Sequence, residues 1–192
     1  MSRMGWSEPV IIAPSNGEAL SLETAKEQLT VDFDDDDSFI QRLIATACDH
    51  VEQVAGLVVT QKTIKLHCHS FGDLQRLPVG PVKEVVAVRY VGPDAIDGTL
   101  DPSTYEARLE GLRASIVIRP GKRWPAIQSG SRIAVDVVAG FDEVPAAVCQ
   151  AMLLLIGTWY RNREQVITGT ITAELPDSSG FWSLLSNYRL NA

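Results

Sequence analysis

The spacing of apolar residues changes twice along the chain, and this change restricts the possible folds more than any other feature of the sequence. Between residues 22 and 54 apolar side chains recur at helical spacing. From residue 58 to 138 they alternate instead, as Ile64, Leu66 and Cys68 do between polar neighbours. After Pro145 the helical spacing returns. Strands grouped between helices, without a regular alternation of the two, are typical of an α+β fold.

The pattern predicts a small helical bundle with an antiparallel β domain inserted between the second and third helices. Ser21 is the expected N-cap of the first helix, and Gly56 is a natural stop for the second. We expect about five strands, at residues 64–68, 83–91, 105–109, 114–118 and 132–138, separated by turns that include Asp97-Gly98. The predicted parts are N-terminal helices at 1–57, the inserted β domain at 58–140, a central helix completing the helical core at 141–164, and a linker with a C-terminal docking segment at 165–192. Within them, residues 1–17 and 165–178 are expected to be loops, the latter a flexible linker, because of their Pro, Gly, Ser and Thr content.

The third helix and the C-terminal segment are the most apolar parts of the chain. One face of this helix is expected to carry Val148, Met152, Leu155, Ile156 and Trp159. Further apolar residues surround it, so the helix is either central in its core or shared with a neighbouring subunit. Residues 181–188 either fold back onto the chain's own core or dock onto a partner, and we hypothesise that they become ordered on docking. The candidate residues for contact with another subunit or a partner are Leu154, Trp159, Tyr160, Arg163, Phe181, Trp182, Leu185 and Tyr188.

Charge and cysteine content exclude several classes of protein. The 192 residues carry 17 basic and 24 acidic side chains, and the acidic excess lies in residues 1–59. No basic stripe typical of a sequence-reading nucleic-acid module is visible. Three widely spaced cysteines favour a reducing compartment over a disulfide framework. The longest apolar stretch, 151–160, is shorter than the roughly 20 residues of a spanning helix, and the N-terminus lacks the features of a signal peptide. We therefore expect no membrane association.

No motif predicts catalysis, a metal site or a cofactor. The aspartates at 34–37 lack the alternating ligands of a calcium loop, and they suit a helix N-terminus. In a strand, His67 and His69 share one face while Cys68 points to the other, so the three do not converge on a zinc ion. Nucleophile elbows and phosphate loops are absent from the sequence. Gly121-Lys122-Arg123-Trp124 is interpreted as a turn anchored by Trp124, with stacking on nucleic acid as the alternative.

Several segments, in this order and at these spacings, resemble the head–tail connector or adaptor proteins of long-tailed phages, prophages and gene transfer agents. The resemblance covers nearly the whole chain. Its most specific part is Val144-Pro145-Ala146-Ala147-Val148, which continues into residues 153–155 and 159–164. The other segments are 20–29, 35–54, 77–82, 85–90, Trp124-Pro125 and 137–141.

The resemblance implies a structural protein of the virion neck that is assembled in the bacterial cytoplasm and has no catalytic motif. It implies a homo-oligomeric ring, typically a dodecamer, that contacts the portal above and a tail-completion or stopper protein below. Double-stranded DNA passes through such a ring without recognition of its sequence. One alternative is another ring or tail-completion protein of the same particle. The other is a hydrolase with a distributed site near His50, His67 or His69.

Overall fold

The computed structural model describes residues 5–14, 17–162 and 180–190, and it confirms the α+β class. The helices are α1 (Leu22–Leu29), α2 (Asp37–Ala55), α3 (Ala146–Arg161) and α4 (Phe181–Leu185). The strands are β1 (Val10–Ala13), β2 (Lys62–Cys68), β3 (Val82–Val91), β4 (Asp97–Thr99), β5 (Tyr105–Arg108), β6 (Ser115–Ile118) and β7 (Ile133–Ala139). Short 3-10 turns occupy Asp73–Gln75, Pro102–Thr104 and Ser186–Tyr188.

The chain divides into two compact units. Residues 1–17 and 60–142 form a sheet unit, and residues 18–59 and 143–192 form a helical unit. All strands but β1 lie between α2 and α3 in the chain, as an inserted β domain requires. The finer four-part division at residues 57, 140 and 164 stays a prediction.

The sheet unit is built on a five-stranded antiparallel sheet in the order β1-β2-β7-β3-β4. Ile64 lies opposite Val137, and Leu66 lies opposite Val135, so one face of the sheet is continuously aliphatic and buried. Strand β3 shifts register twice against β7, which marks bulges in β3. The separate β5–β6 hairpin buries Ile116.

Loop residues complete the core of the sheet unit. The rings of Phe71 and Trp124 stack in parallel with their centroids 4.7 Å apart. Leu74 and Leu77, which follow Phe71 in the sequence, are also buried. The Leu77 amide donates a hydrogen bond to the Ala114 carbonyl. Trp124 therefore anchors its turn within the protein, as the sequence predicted.

The helical unit follows the capping rules. The Ser21 hydroxyl accepts a hydrogen bond from the Thr24 amide at 3.1 Å, which caps α1. Helix α2 ends at Gly56, whose φ of +72° places it in the left-handed region that glycine favours. The buried faces of the two long helices consist of Ile40, Ala47, Val51 and Ala55 in α2, and Val148, Ala151, Met152, Leu153 and Ile156 in α3.

Two expectations about loops are wrong. Residues 10–13 are a strand, because three β-branched residues between Pro9 and Pro14 pair with the edge of β2. Asp97-Gly98 is the start of β4 rather than a turn. A Cβ at Gly98 would lie 2.7 Å from the Tyr90 ring, so a larger residue here would require the Tyr90 side chain to move. In the described part of the chain, no helix combines the length and the apolar content needed to cross a bilayer.

Candidate interaction surfaces

Helix α3 buries one face and leaves the other half-exposed. Leu154, Trp159 and Tyr160 are all half-buried, whereas Met152 and Ile156 are fully buried. Leu155 and Trp159 do not belong to the buried face that the spacing predicted, since Ala151 and Leu153 take that place. The structure therefore leaves three of the candidate contact residues accessible along one helix.

Tyr160, in the last turn of α3, contacts residues at the start of α2. Its hydroxyl donates a 2.5 Å hydrogen bond to the Asp36 carboxylate, 124 residues earlier in the chain. The ring of Tyr160 also lies 6.0 Å from the ring of Phe39, and the Arg42 guanidinium sits 5.7 Å from the centre of the Phe39 ring. The first turn of α2 and the last turn of α3 are thus tied together by an aromatic and polar contact.

A second aromatic group connects α2, α3 and α4. The His50 ring lies 6.0 Å from both Trp159 and Phe181. Trp182 packs edge-on against Phe181 with the ring centroids 5.2 Å apart, and the Arg189 guanidinium lies 5.0 Å from the centre of the Trp182 ring. Trp159 and Trp182 remain half-buried within this group, so they present aromatic surface with a fixed orientation.

The described C-terminal residues pack on the chain's own helical core, which is the first of the two alternatives, and their ordering on docking stays a prediction. Phe181 is 5% exposed and Leu185 is fully buried. Leu190 is also buried, and its amide donates to the Ala55 carbonyl at 2.8 Å. Phe181, Leu185 and Leu190 therefore contact other parts of the same chain and offer little apolar surface to a partner. Trp182 and Tyr188 stay half-buried and remain candidates for contact. Arg163 and the predicted linker at 165–178 lie outside the described residues.

Lys26 is a structural residue that the sequence reasoning missed. Its ammonium group donates to the Asp34 carboxylate at 2.8 Å and to the Asp37 carboxylate at 2.7 Å. The hydrogen bond from Lys26 lowers the pKa of Asp34, and the two aspartates raise the pKa of Lys26. The acidic run therefore ties α1 to the start of α2, in addition to placing Asp37 in the first turn of α2.

The surroundings of Cys68 and His67 shift the pKa values of both side chains. Burial raises the pKa of the Cys68 thiol to about 12, and Asp73 adds to the rise. Burial together with Arg132 and Lys65 lowers the pKa of His67. Within residues 5–14, 17–162 and 180–190, no group of three His, Cys, Asp or Glu side chains is placed to hold a metal ion.

The sheet unit has apolar residues at its edges that the sequence reasoning also missed. Val10, Ile11 and Ile12 in β1 are about half exposed, at 52%, 55% and 49%. Val86 in β3 is 51% exposed, and Ile96, just before β4, is 64% exposed. The described chain has six exposed large apolar residues, and five of them lie in the sheet unit. The sixth is Phe33 in the helical unit.

The comparisons with known proteins agree with each other. Residues 19–90 match the model of the phage gp6-like head-tail connector protein family. No curated protein matches the sequence. Among solved structures, the fold matches a chain in the neck of an empty GTA particle computed with C6 symmetry, with a TM-score of 0.74, 19% identity and 95% of both chains covered.

Two further structures show the same fold. A chain in the virion of a native gene transfer agent (GTA) particle gives a TM-score of 0.74 at 20% identity, with 95% of each chain covered. A chain in the neck of a native GTA particle computed with C12 symmetry gives 0.71 at 20% identity, again with 95% of each chain covered. The resemblance to phage head–tail connector proteins is therefore confirmed over residues 19–90, and the fold is shared with chains of gene transfer agent particles over nearly the whole chain.

Proposed function

We propose that this protein is a structural subunit of the neck of a tailed phage or gene transfer agent particle. Copies of the chain form a ring beneath the portal, and the ring joins the capsid to the tail and continues the DNA channel. The observation that carries the proposal is the fold match over 95% of both chains to a protein in a particle neck. The connector family match over residues 19–90 supports it independently.

The symmetry of the matched particles supports the formation of a ring. Their necks were computed with C6 and C12 symmetry, and a head-to-tail contact closes into a ring when the rotation per subunit divides a full turn. A dodecamer satisfies both symmetries. The partners in this proposal are other copies of the chain, the portal protein, and a tail-completion or stopper protein.

The role needs no catalytic residue, metal or cofactor, because the work of such a subunit is to hold a fixed geometry. Half-buried apolar side chains on the helical unit supply surface for contact with the portal or tail. We assign this role to Leu154, Trp159, Tyr160, Trp182 and Tyr188, with Arg163 as a further candidate. Phe181 and Leu185 act indirectly, because they hold Trp182 and α4 in place from inside the core.

DNA passage through the ring requires weak adhesion to phosphate. The helical unit carries 5 basic and 14 acidic side chains, whereas the sheet unit carries 12 basic and 10 acidic ones. A net charge of −9 on the helical unit repels the DNA backbone. This charge suits a protein that DNA slides past without being read.

Deletion of the gene in the producing bacterium tests the proposal. We expect DNA-filled heads and separate tails in electron micrographs, with joined particles restored by the gene supplied in trans. Joined particles in normal yield without the protein would contradict a neck function. Binding of the purified protein to isolated portal, and not to tail-tube protein, would separate an adaptor from a tail-completion protein.

A further inference from the structure

Strand β1 is an apolar strand edge that the described chain leaves open. It lies at the end of the sheet and pairs only with β2, where Val10 faces Lys65 and Ile11 faces Ile64. All four of its residues are exposed, and none carries a charge. Natural sheets protect their edges with charged residues, bulges or cover, and an exposed apolar edge is a template for pairing with another strand. Pro9 and Pro14 limit the open edge to these four residues.

The opposite end of the sheet has a second open edge. Strand β4 pairs with β3 only along residues 89–91. Among the described residues, no strand lies beside the outer edge of β3 at residues 82–87. Val86 is exposed within this stretch, and Ile96 is exposed close by in sequence to β4. The stretch also carries two charged residues, Lys83, which pairs with Asp142, and the exposed Glu84. Both bulges of β3 against β7 lie in this stretch, so the edge open to a neighbour is short and irregular.

Two different apolar edges at opposite ends of one sheet are suited to a head-to-tail contact. A two-fold contact uses the same patch on both partners and needs only one of the edges, whereas a ring of more than two subunits needs two different patches. The inference rests on the proposed ring function, which supplies a second copy of the chain as the neighbour.

We propose that β1 of one copy pairs with residues 82–87 of β3 in the next copy, so that the sheets of neighbouring subunits join edge to edge around the ring. The backbone of each edge then gains hydrogen-bond partners, and the aliphatic side chains of Val10, Ile11, Ile12 and Val86 leave water together. This contact sets the order of subunits in the ring. The half-buried aromatic residues of the helical unit remain available to the portal and the tail.

Cysteine cross-linking tests the contact directly. The parent chain carries Cys48→Ala and Cys149→Ala, because these two cysteines are half-buried and Cys68 is buried. Ile12→Cys and Val86→Cys are introduced together in this parent, and purified particles are oxidised. We expect a ladder of covalent dimers, trimers and larger species from the double variant, and monomers from each single variant. Dimers from Ile12→Cys alone would show a β1–β1 contact and overturn the proposal, as would monomers from the double variant in intact necks.

A charge placed on each edge provides a second test that does not depend on disulfide geometry. We expect Ile11→Lys and Val86→Lys each to lower the yield of rings about tenfold, since lysine on an edge opposes strand pairing. Phe33→Lys is the matched control: Phe33 is 47% exposed in the helical unit and should assemble normally. All three variants should melt at the parent temperature, because the substituted side chains are exposed.

The outcomes separate this inference from the proposed function. If the parent protein is absent from the necks of particles, the proposed function is wrong. If the parent is in the neck and both lysine variants form rings normally, only the edge contact is wrong. If the variants form rings but no longer attach to the portal, the edges bind a different partner, and the edge contact between copies is again wrong.

Discussion

The helical unit and the sheet unit differ in how many of their large apolar residues are exposed. Among the described residues of the helical unit, Phe33 is the one exposed large apolar residue. Trp159, Tyr160 and Trp182 are held by ring and hydrogen-bond contacts. The sheet unit buries one face of its sheet but leaves aliphatic residues exposed at both edges. The helical unit is strongly acidic, and the sheet unit is close to neutral. This contrast is the basis of our proposal that copies of the chain meet through the sheet units and that the helical units carry the surfaces for other proteins.

The largest expected effect tests whether α4 belongs to the helical core. Leu185→Asp places an unpaired charge at a fully buried position, and we expect a loss of about 3 kcal/mol or more in the free energy of unfolding. Leu184→Asp is the control, because Leu184 is half-buried on the same short helix and should cost about 1 kcal/mol. Chemical denaturation of both variants measures the difference. Equal stabilities would place α4 outside the core.

The second prediction concerns the accessible side of α3. Trp159→Asp and Leu154→Asp change half-buried side chains, so each should cost about 1–2 kcal/mol of stability, less than Leu185→Asp. Their main effect should be on binding of the helical unit to the portal or tail. Pull-down of isolated portal by purified ring measures this, with Phe33→Lys, an exposed position at which rings are expected to form normally, as the comparison. If both aspartate variants bind portal as well as the parent does, this side of α3 is not a portal surface.

A smaller effect is expected from the contact between the ends of α2 and α3. Tyr160→Phe removes the hydrogen bond to Asp36 and should cost about 1 kcal/mol. A double-mutant cycle with Asp36→Ala isolates the interaction from the separate effects of each change. A coupling energy near zero would mean that Phe39 and the remaining packing alone position Tyr160.

The smallest effect is the pH dependence of the Lys26 cluster. Because Lys26 lowers the pKa of Asp34, the pair stabilises the fold above the ordinary carboxyl pKa of about 4, and this contribution is lost as the pH falls through the lowered pKa. Titration of the Asp34 carboxyl by NMR should show the lowered pKa in the parent and a return toward the ordinary value in Lys26→Met. An Asp34 pKa that is the same in the parent and in Lys26→Met would show that the ion pair does not persist in solution.

The sequence predicted the elements whose signals are local. Apolar spacing located α2 and α3, Ser21 and Gly56 marked helix ends, and alternation located β2 and β7. Contacts between distant residues were not predictable in this way. The partners Tyr160 and Asp36 are 124 residues apart in the sequence. Phe71 stacks on Trp124, which comes much later in the inserted domain.

The candidate contact surface shows the same limit. The most apolar segment, with Phe181 and Leu185, was the obvious candidate, yet high apolar content there reflects burial in the chain's own core. Val10-Ile11-Ile12 was passed over because a short run between two prolines has no periodicity to detect. The exposure of these residues became evident only from the position of β1 at the end of the sheet.

Cryo-electron microscopy of the neck in particles that carry this protein tests the central claim most directly. We expect twelve copies of the chain in one ring between portal and tail, with β1 of each copy beside residues 82–87 of the next. A neck without this chain, or with the chain outside the ring that joins portal to tail, would show that the protein is not the adaptor.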